Sequence, residues 1–200
     1  MVISPSIVSY GAADGIGTMM TEGVRTLASQ PAPWLLQSHL ETIMLGSVIL
    51  DAMAGGIIFI FSNTIMKTFA EFDDEIGINV MVLLNKIIIN PLFAFVFFGG
   101  LISAYPAIVM MTRPDEFSKP ARYYALASTL VFFFGEFLVT VTQNVPRNDA
   151  LMAADPTSDE GVEYWRKDFL GDWVAWNTAR CIASVVASIL GGLSLMAMRS

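Results

Sequence analysis

The chain has 200 residues, of which 54% are hydrophobic and only 14% charged, against about a quarter charged in an ordinary soluble domain. Eleven basic and 18 acidic residues leave a net charge of −7, which excludes the basic face that a nucleic-acid partner needs. A single cysteine, Cys181, and a single histidine, His39, exclude an internal disulfide and a multi-histidine metal site, so no metal is expected.

Such a balance points to an integral, multi-pass membrane protein with the lipid bilayer as its solvent. Residues 1–38 hold no apolar run long enough to span and lack the pattern of a signal peptide; they read as an N-terminal extramembrane segment before a membrane domain over 39–200. From Leu40 to Phe61 the sequence LETIMLGSVILDAMAGGIIFIF supplies about 22 residues, enough at 1.5 Å each for a hydrocarbon layer of about 30 Å. A second span is expected over Val80–Met110, bent or shortened by Pro91 and Pro106. The third, Ala121–Val145, ends at Pro146, and the fourth, Val174–Met198, opens with Trp173 and Trp176, rings suited to the headgroup layer. The reading is all-α: a four-helix membrane bundle with one long extramembrane loop, 147–172, between helices three and four. Within that loop Asp155-Pro156 reads as a helix start, the stretch through Phe169 as a short surface helix, and Gly171 as its end. Four spans put both termini on one side. Arg25, Arg113, Lys119, Arg122 and Arg199 on that side, against Lys67, Arg147, Arg166 and Lys167 opposite, tip the termini toward the cytoplasm.

Ionisable and amide side chains inside hydrocarbon are expensive and normally face a bundle interior, so function is sought there. The first span carries Asp51; the second Asn85, Lys86 and Asn90; the third Glu136, Thr140, Gln143 and Asn144; the fourth Asn177 and Arg180. Glu136, Thr140 and Gln143 fall at i, i+4 and i+7, as Asn177, Arg180 and Ser184 nearly do, so two polar stripes are expected to face a shared pocket. Pro91 frees the carbonyl of Ile87, which then needs a partner such as an asparagine amide. Phe93, Phe95, Phe97, Phe98, Phe132, Phe133 and Phe134 are candidate walls, and an apolar pocket with a few polar groups suits a flat hydrophobic molecule. A purely structural reading stands beside this one: Glu136 paired with Lys86 or Arg180 would order the bundle, and Gly46, Ala52, Ala54, Gly55 and Gly56 would allow close helix contact.

Three segments together resemble the anthrone oxygenase family of small four-span membrane proteins. They are MVLLNKIIINPLFAFVFFG in the second span, Asn-Val-Pro-x-Asn-x-x-Leu over Asn144 to Leu151, and Trp-x-x-Trp-Asn-x-x-Arg over Trp173 to Arg180. The likeness covers about residues 40–197; Thr178 stands where many members carry His. The resemblance implies oxidation of an anthrone to a quinone by molecular oxygen without metal or flavin, hence no cofactor. It also adds Asn148, Trp173 and Trp176 to the candidate substrate-binding residues. An anthrone methylene is acidic enough for a buried carboxylate to deprotonate, and the enolate can reduce oxygen itself. Glu136 is then the candidate base and Asp51 the second choice, with Arg180, Lys86, Asn144 and Asn177 as donors to the oxyanion. The expected occupant is a hydrophobic aromatic small molecule, with a homo-oligomer or larger membrane assembly left open. The alternative is a non-enzymatic membrane subunit or small-molecule binder whose polar cluster only orders the bundle. Ion transport is disfavoured because the ionisable groups crowd one membrane half and Gly99–Met110 is apolar.

Overall fold

A computed structural model describes residues 33–199, all of them helical apart from short links and the last residue. Two units are distinguished, Met1–His39 and Leu40–Ser200. The expected extramembrane segment, with Arg25 in it, lies outside the described residues except for the helical residues 33–38.

Five helices are present among the described residues. They are α1 (Trp34–Ala70), α2 (Asp74–Ile88), α3 (Pro91–Thr112), α4 (Lys119–Ala153) and α5 (Asp159–Met198), and all but α2 are long and apolar enough to cross a membrane. The protein is therefore an all-α membrane bundle. At 1.5 Å per residue, the 37, 35 and 40 residues of α1, α4 and α5 run to about 50–60 Å, well beyond a hydrocarbon layer of about 30 Å. Only α3, at 22 residues, matches the layer.

The surplus length builds a cap. The far ends of α1, α4 and α5 project past the apolar stretch and pack with α2 around Met66, Phe69, Ile78, Met81, Leu151, Trp165, Phe169 and Trp173. The rings of Trp165, Phe169 and Trp173 fall at i, i+4 and i+8 and stack in series, with centroids 5.5 and 5.1 Å apart. An exposed ion pair, Arg166 to Asp74, ties α5 to α2, with Nε donating at 3.0 Å.

The second span differs from its expected bounds. The stretch read as one helix from Val80 is broken at Ile89-Asn90, where Pro91 cannot donate an amide proton; α2 ends there and α3 begins. The Ile87 carbonyl freed by Pro91 does receive an asparagine amide, that of Asn90 itself: Nδ2 donates to the carbonyls of Ile87 and Ile88 at 3.2 Å, while Oδ1 accepts from Phe93 N–H at 3.0 Å.

The connection between the third and fourth spans is almost wholly helical. Residues 145–153 continue α4, 159–173 begin α5, and only 154–158 form a link. Ser158, not Asp155, caps α5 by accepting from Gly161 N–H, and the helix runs through Gly171 without stopping. Asp155 shapes the link instead: its carboxylate accepts from the Thr157 N–H and hydroxyl, and these bonds hold its pKa below the usual carboxylate value.

In the membrane part, helices are joined by serine hydroxyls donating to carbonyls of neighbours. Ser128 reaches Ala187 and Ser194 reaches Ala121 at 2.8 Å, Ser188 reaches Val48 at 3.1 Å, and Ser47 reaches Gly100 at 3.2 Å. The tightest approaches fall on glycines other than those expected. A Cβ on Gly99 would collide with Leu50, on Gly100 with Asp51 and Phe132, and on Gly135 with Ala183, whereas Gly56 has open space around its Cα.

Candidate functional site

A cavity of about 310 Å³ lies where the membrane part meets the cap, between the α2–α3 break and the continuation of α4. Its walls are mainly apolar: Ile57, Ile58, Phe61, Ile88, Phe93, Ala94, Phe97 and Val145. The polar lining is Asn85, Lys86, Asn90, Thr140, Asn144, Asn148, Asp149, Trp173 and Arg180. Burial separates floor from mouth. Arg180, Asn144, Trp173 and Phe97 are buried, whereas Lys86, Ile89, Asn90, Asp149 and Met152 are exposed.

Arg180 is the centre of the floor. Nε and Nη2 donate to Asn177 Oδ1 at 3.1 and 2.6 Å, and Nη1 donates to Thr140 Oγ1 at 2.9 Å. Its guanidinium carbon sits 6.0 Å from the Trp173 ring centroid. Among the described residues no carboxylate comes within ion-pair distance of it, so the expected Glu136–Arg180 and Glu136–Lys86 bridges are not formed. Three of the five guanidinium N–H groups are used, which leaves two for a ligand.

Two sequence motifs clasp one another beside this cation. Asn144 Nδ2 donates to the Trp173 carbonyl at 3.2 Å, and Trp173 Nε1 donates to Asn148 Oδ1 at 2.7 Å. Asn177, one turn along, donates through Nδ2 to the Ile58 carbonyl at 2.9 Å and to Ser62 Oγ at 2.7 Å. Both amide N–H groups of Asn177 are thus used within the protein and it does not line the cavity, whereas Asn144, which does, spends one of its two on Trp173.

The remaining candidates scatter. Glu136 and Asp51 are completely buried and none of their carboxyl oxygens has a hydrogen-bond partner, but neither lines the cavity. Glu136 stands one turn behind Thr140, whose hydroxyl donates to its carbonyl at 2.8 Å, and its charge is within reach of Arg180 and Asp51. Asp51 is wedged against Gly100 and Phe132. Gln143 turns away to accept from Arg147, which also pairs with Asp172 at 3.6 Å. Trp176 is exposed and outside the cavity, as is Thr178, which donates to Ser62 Oγ at 3.0 Å. Of the candidate phenylalanines, Phe93, Phe97 and Phe98 line the cavity; Phe95, Phe133 and Phe134 are exposed and Phe132 packs inside the bundle.

The displacement of Gln143 has a local cause. Phe132–Phe137 and Thr140–Asn144 are π-helical, with hydrogen bonds one residue longer than in an α-helix. The wider turn moves the inward stripe from i+7 to i+8, so Thr140 is followed by Asn144, Asn148 and Met152, all on the cavity wall. Met152, on this ladder, and Asp149, one turn after the cavity-lining Val145, were missed because both lie past Pro146, where the sequence reading ended the helix.

No curated protein and no solved structure matches the chain. The family model for anthrone oxygenase matches residues 82–190. That range holds every polar residue of the cavity wall and more than half of the sequence; the chain belongs to the anthrone oxygenase family.

Proposed function

We propose that the protein is a cofactor-independent membrane oxygenase that converts anthrone-like or other phenolic aromatic substrates to quinones. The observation that carries this reading is a buried guanidinium, with no carboxylate within ion-pair distance among the described residues, at the floor of an apolar aromatic-walled cavity. A flat tricyclic ketone fits such a space with its carbonyl oxygen accepting from Arg180. An anthrone's methylene lies at the opposite edge of the central ring and then points to the mouth, where Asp149 is the carboxylate on the wall.

The steps balance without a further oxidant. The methylene C–H proton passes to Asp149, and the electron pair it leaves is delocalised onto the carbonyl oxygen, which Arg180 stabilises. The enolate donates an electron to dioxygen, the resulting pair combines to a carbon-bound peroxide anion, the proton held by Asp149 converts it to the hydroperoxide, and loss of water, which takes the second C–H proton, leaves the second carbonyl. One oxygen atom enters the quinone and the other leaves as water. Glu136, the base expected from sequence, has the role of a buried counter-charge behind Arg180, and Lys86 at the mouth attracts the anionic form. In this reading the termini face the cytoplasm.

Purified protein in detergent, given an anthrone under oxygen, is expected to take up oxygen and form quinone faster than protein-free buffer. Arg180→Gln should lower that excess rate by about 10²–10³-fold, the usual effect of deleting an oxyanion donor. Asp149→Asn should lower it more than Glu136→Gln. A rate equal to spontaneous oxidation in buffer refutes the enzymatic reading.

The second reading, a non-enzymatic binder of hydrophobic aromatic molecules, draws on the bonds that link Asn177, Thr140 and Arg180, a pattern that also serves bundle order. It predicts saturable binding of a quinone with no oxygen uptake.

A further inference from the structure

Among the polar groups of the cavity floor, one has its demands half met. Asn144 is 1% exposed, and its Nδ2 is fixed by donation to the Trp173 carbonyl, which can only accept; Oδ1 therefore stands as an acceptor. That oxygen is buried and has no donor. Asn85, across the cavity on α2, presents the complementary case, a buried Nδ2 with no acceptor. A buried acceptor left unmade is unfavourable, and a ligand that supplies the missing donor recovers the difference. Arg180 does not quench Asn144 in the resting site: its three bound N–H groups go to Asn177 and Thr140, and Asn144 Oδ1 receives none of the others.

We infer that Asn144 is the residue that reads the hydroxyl of a phenolic ligand: the aromatic O–H donates to Asn144 Oδ1. The inference rests on the reading above that the cavity holds an aromatic molecule, and it makes Asn144 a specificity-determining residue. A hydroxyl can answer either kind of demand, since its hydrogen can go to Asn144 Oδ1 and its oxygen can accept from a donor such as Asn85 Nδ2. An ether at the same place accepts but offers nothing to Asn144. A site built around a substrate hydroxyl discriminates strongly against the analogue that lacks it, because the protein's own group is then left unpaired.

The test is a matched pair of stable probes, 2-hydroxyanthraquinone and 2-methoxyanthraquinone. Their binding to the full chain in detergent is followed by quenching of tryptophan fluorescence and corrected for partitioning into empty micelles. The wild-type protein is expected to hold the hydroxy compound tighter by about tenfold or more. Asn144→Leu, which keeps the volume and loses the acceptor, should bring the two affinities within about twofold of each other. Because that variant also loses its bond to Trp173, the readout is the ratio of the two affinities, taken at a pH where the hydroxyl is protonated, and a ratio that survives the substitution overturns the role of Asn144. Equal wild-type affinities overturn the role of Asn144 and leave the aromatic site standing, whereas failure of the folded protein to bind either probe removes both.

Discussion

Replacing Asn177 with Leu tests how α5 is held against α1 and how Arg180 is aimed. The substitution keeps the volume of the side chain, so little cavity is created, but it deletes four hydrogen bonds. Two are neutral, from Nδ2 to the Ile58 carbonyl at 2.9 Å and to Ser62 Oγ at 2.7 Å. Bonds of this kind between membrane helices average about 0.6 kcal/mol, which gives about 1.2 kcal/mol for the pair. The other two come from the Arg180 guanidinium at 3.1 and 2.6 Å. Bonds to a charged group are worth about 1.5–3 kcal/mol, and here a single acceptor serves both, so one such value applies. The expected loss is about 3–4 kcal/mol, which for a chain of this size lowers Tm by about 6–15 °C. Asn177→Asp retains the acceptor for Arg180 and gives up only the two Nδ2 donors, so it should melt about 2–5 °C below wild type. Thermal denaturation followed by tryptophan fluorescence in one detergent separates the variants. If Asn177→Leu melts within about 2 °C of wild type, or if Asp lowers Tm as far as Leu, the network has been misread.

Gly100→Ala should destabilise the bundle by about 1–3 kcal/mol, because its Cβ would meet the Asp51 carboxylate and the Phe132 ring, both fully buried; an unchanged melting curve would contradict that packing. Trp165→Ala in the cap should be lowered by about 3–5 kcal/mol, since the ring is completely buried in the stack, whereas Trp176→Ala, 38% exposed and outside the cavity, should stay within about 1 kcal/mol of wild type. Similar losses in the same unfolding assay would show that the cap core has been misplaced. Asp155 titrates below its ordinary value because Thr157 donates to it twice. A depressed folded-state pKa gives a contribution that is complete above the unfolded value and is lost as pH falls through the folded one. The link at 154–158 should therefore be insensitive to pH from about 7 to 5 and loosen only in stronger acid. Carboxyl-carbon NMR should place the Asp155 midpoint low, and Thr157→Val should return it part of the way upward; a midpoint indifferent to Thr157 contradicts the assignment.

The membrane helices were legible because a run such as that from Leu40 to Phe61 is apolar over the thickness of a bilayer, and few other solutions exist for such a segment. The cap was not, since residues 145–173 are too polar for a span and their helical order comes from packing: Trp165 and Phe169 are buried against Ile78 and Met81 of α2, far away in sequence. Pro146 was read as an end, yet it sits within the first turn after a π-helical stretch, where its missing N–H is tolerated. At the site, Arg180 and Asn144 could be picked from the rule that polar groups in hydrocarbon face inward, whereas Lys86 reaches the mouth from α2, outside the spans, and is exposed. The rule gave no guidance on which inward surface. Glu136 obeys it and is fully buried, but faces the bundle and not the cavity, a distinction set by two wide turns that residue spacing does not reveal.

The exposed apolar residues beside the cavity mouth have a kinetic consequence. Ile89, 82% exposed, and Met152 line the opening at the level where α3, the span that matches the hydrocarbon, begins, and Leu92, 73% exposed, stands in the first turn of that helix. With this apolar edge at the start of a membrane span, a hydrophobic ligand of the cavity is expected to arrive sideways from within a leaflet, past the exposed Lys86 and Asp149 at the same opening. Occupancy then follows the number of solute molecules per lipid, and diluting the sample with buffer changes it little while adding empty vesicles lowers it.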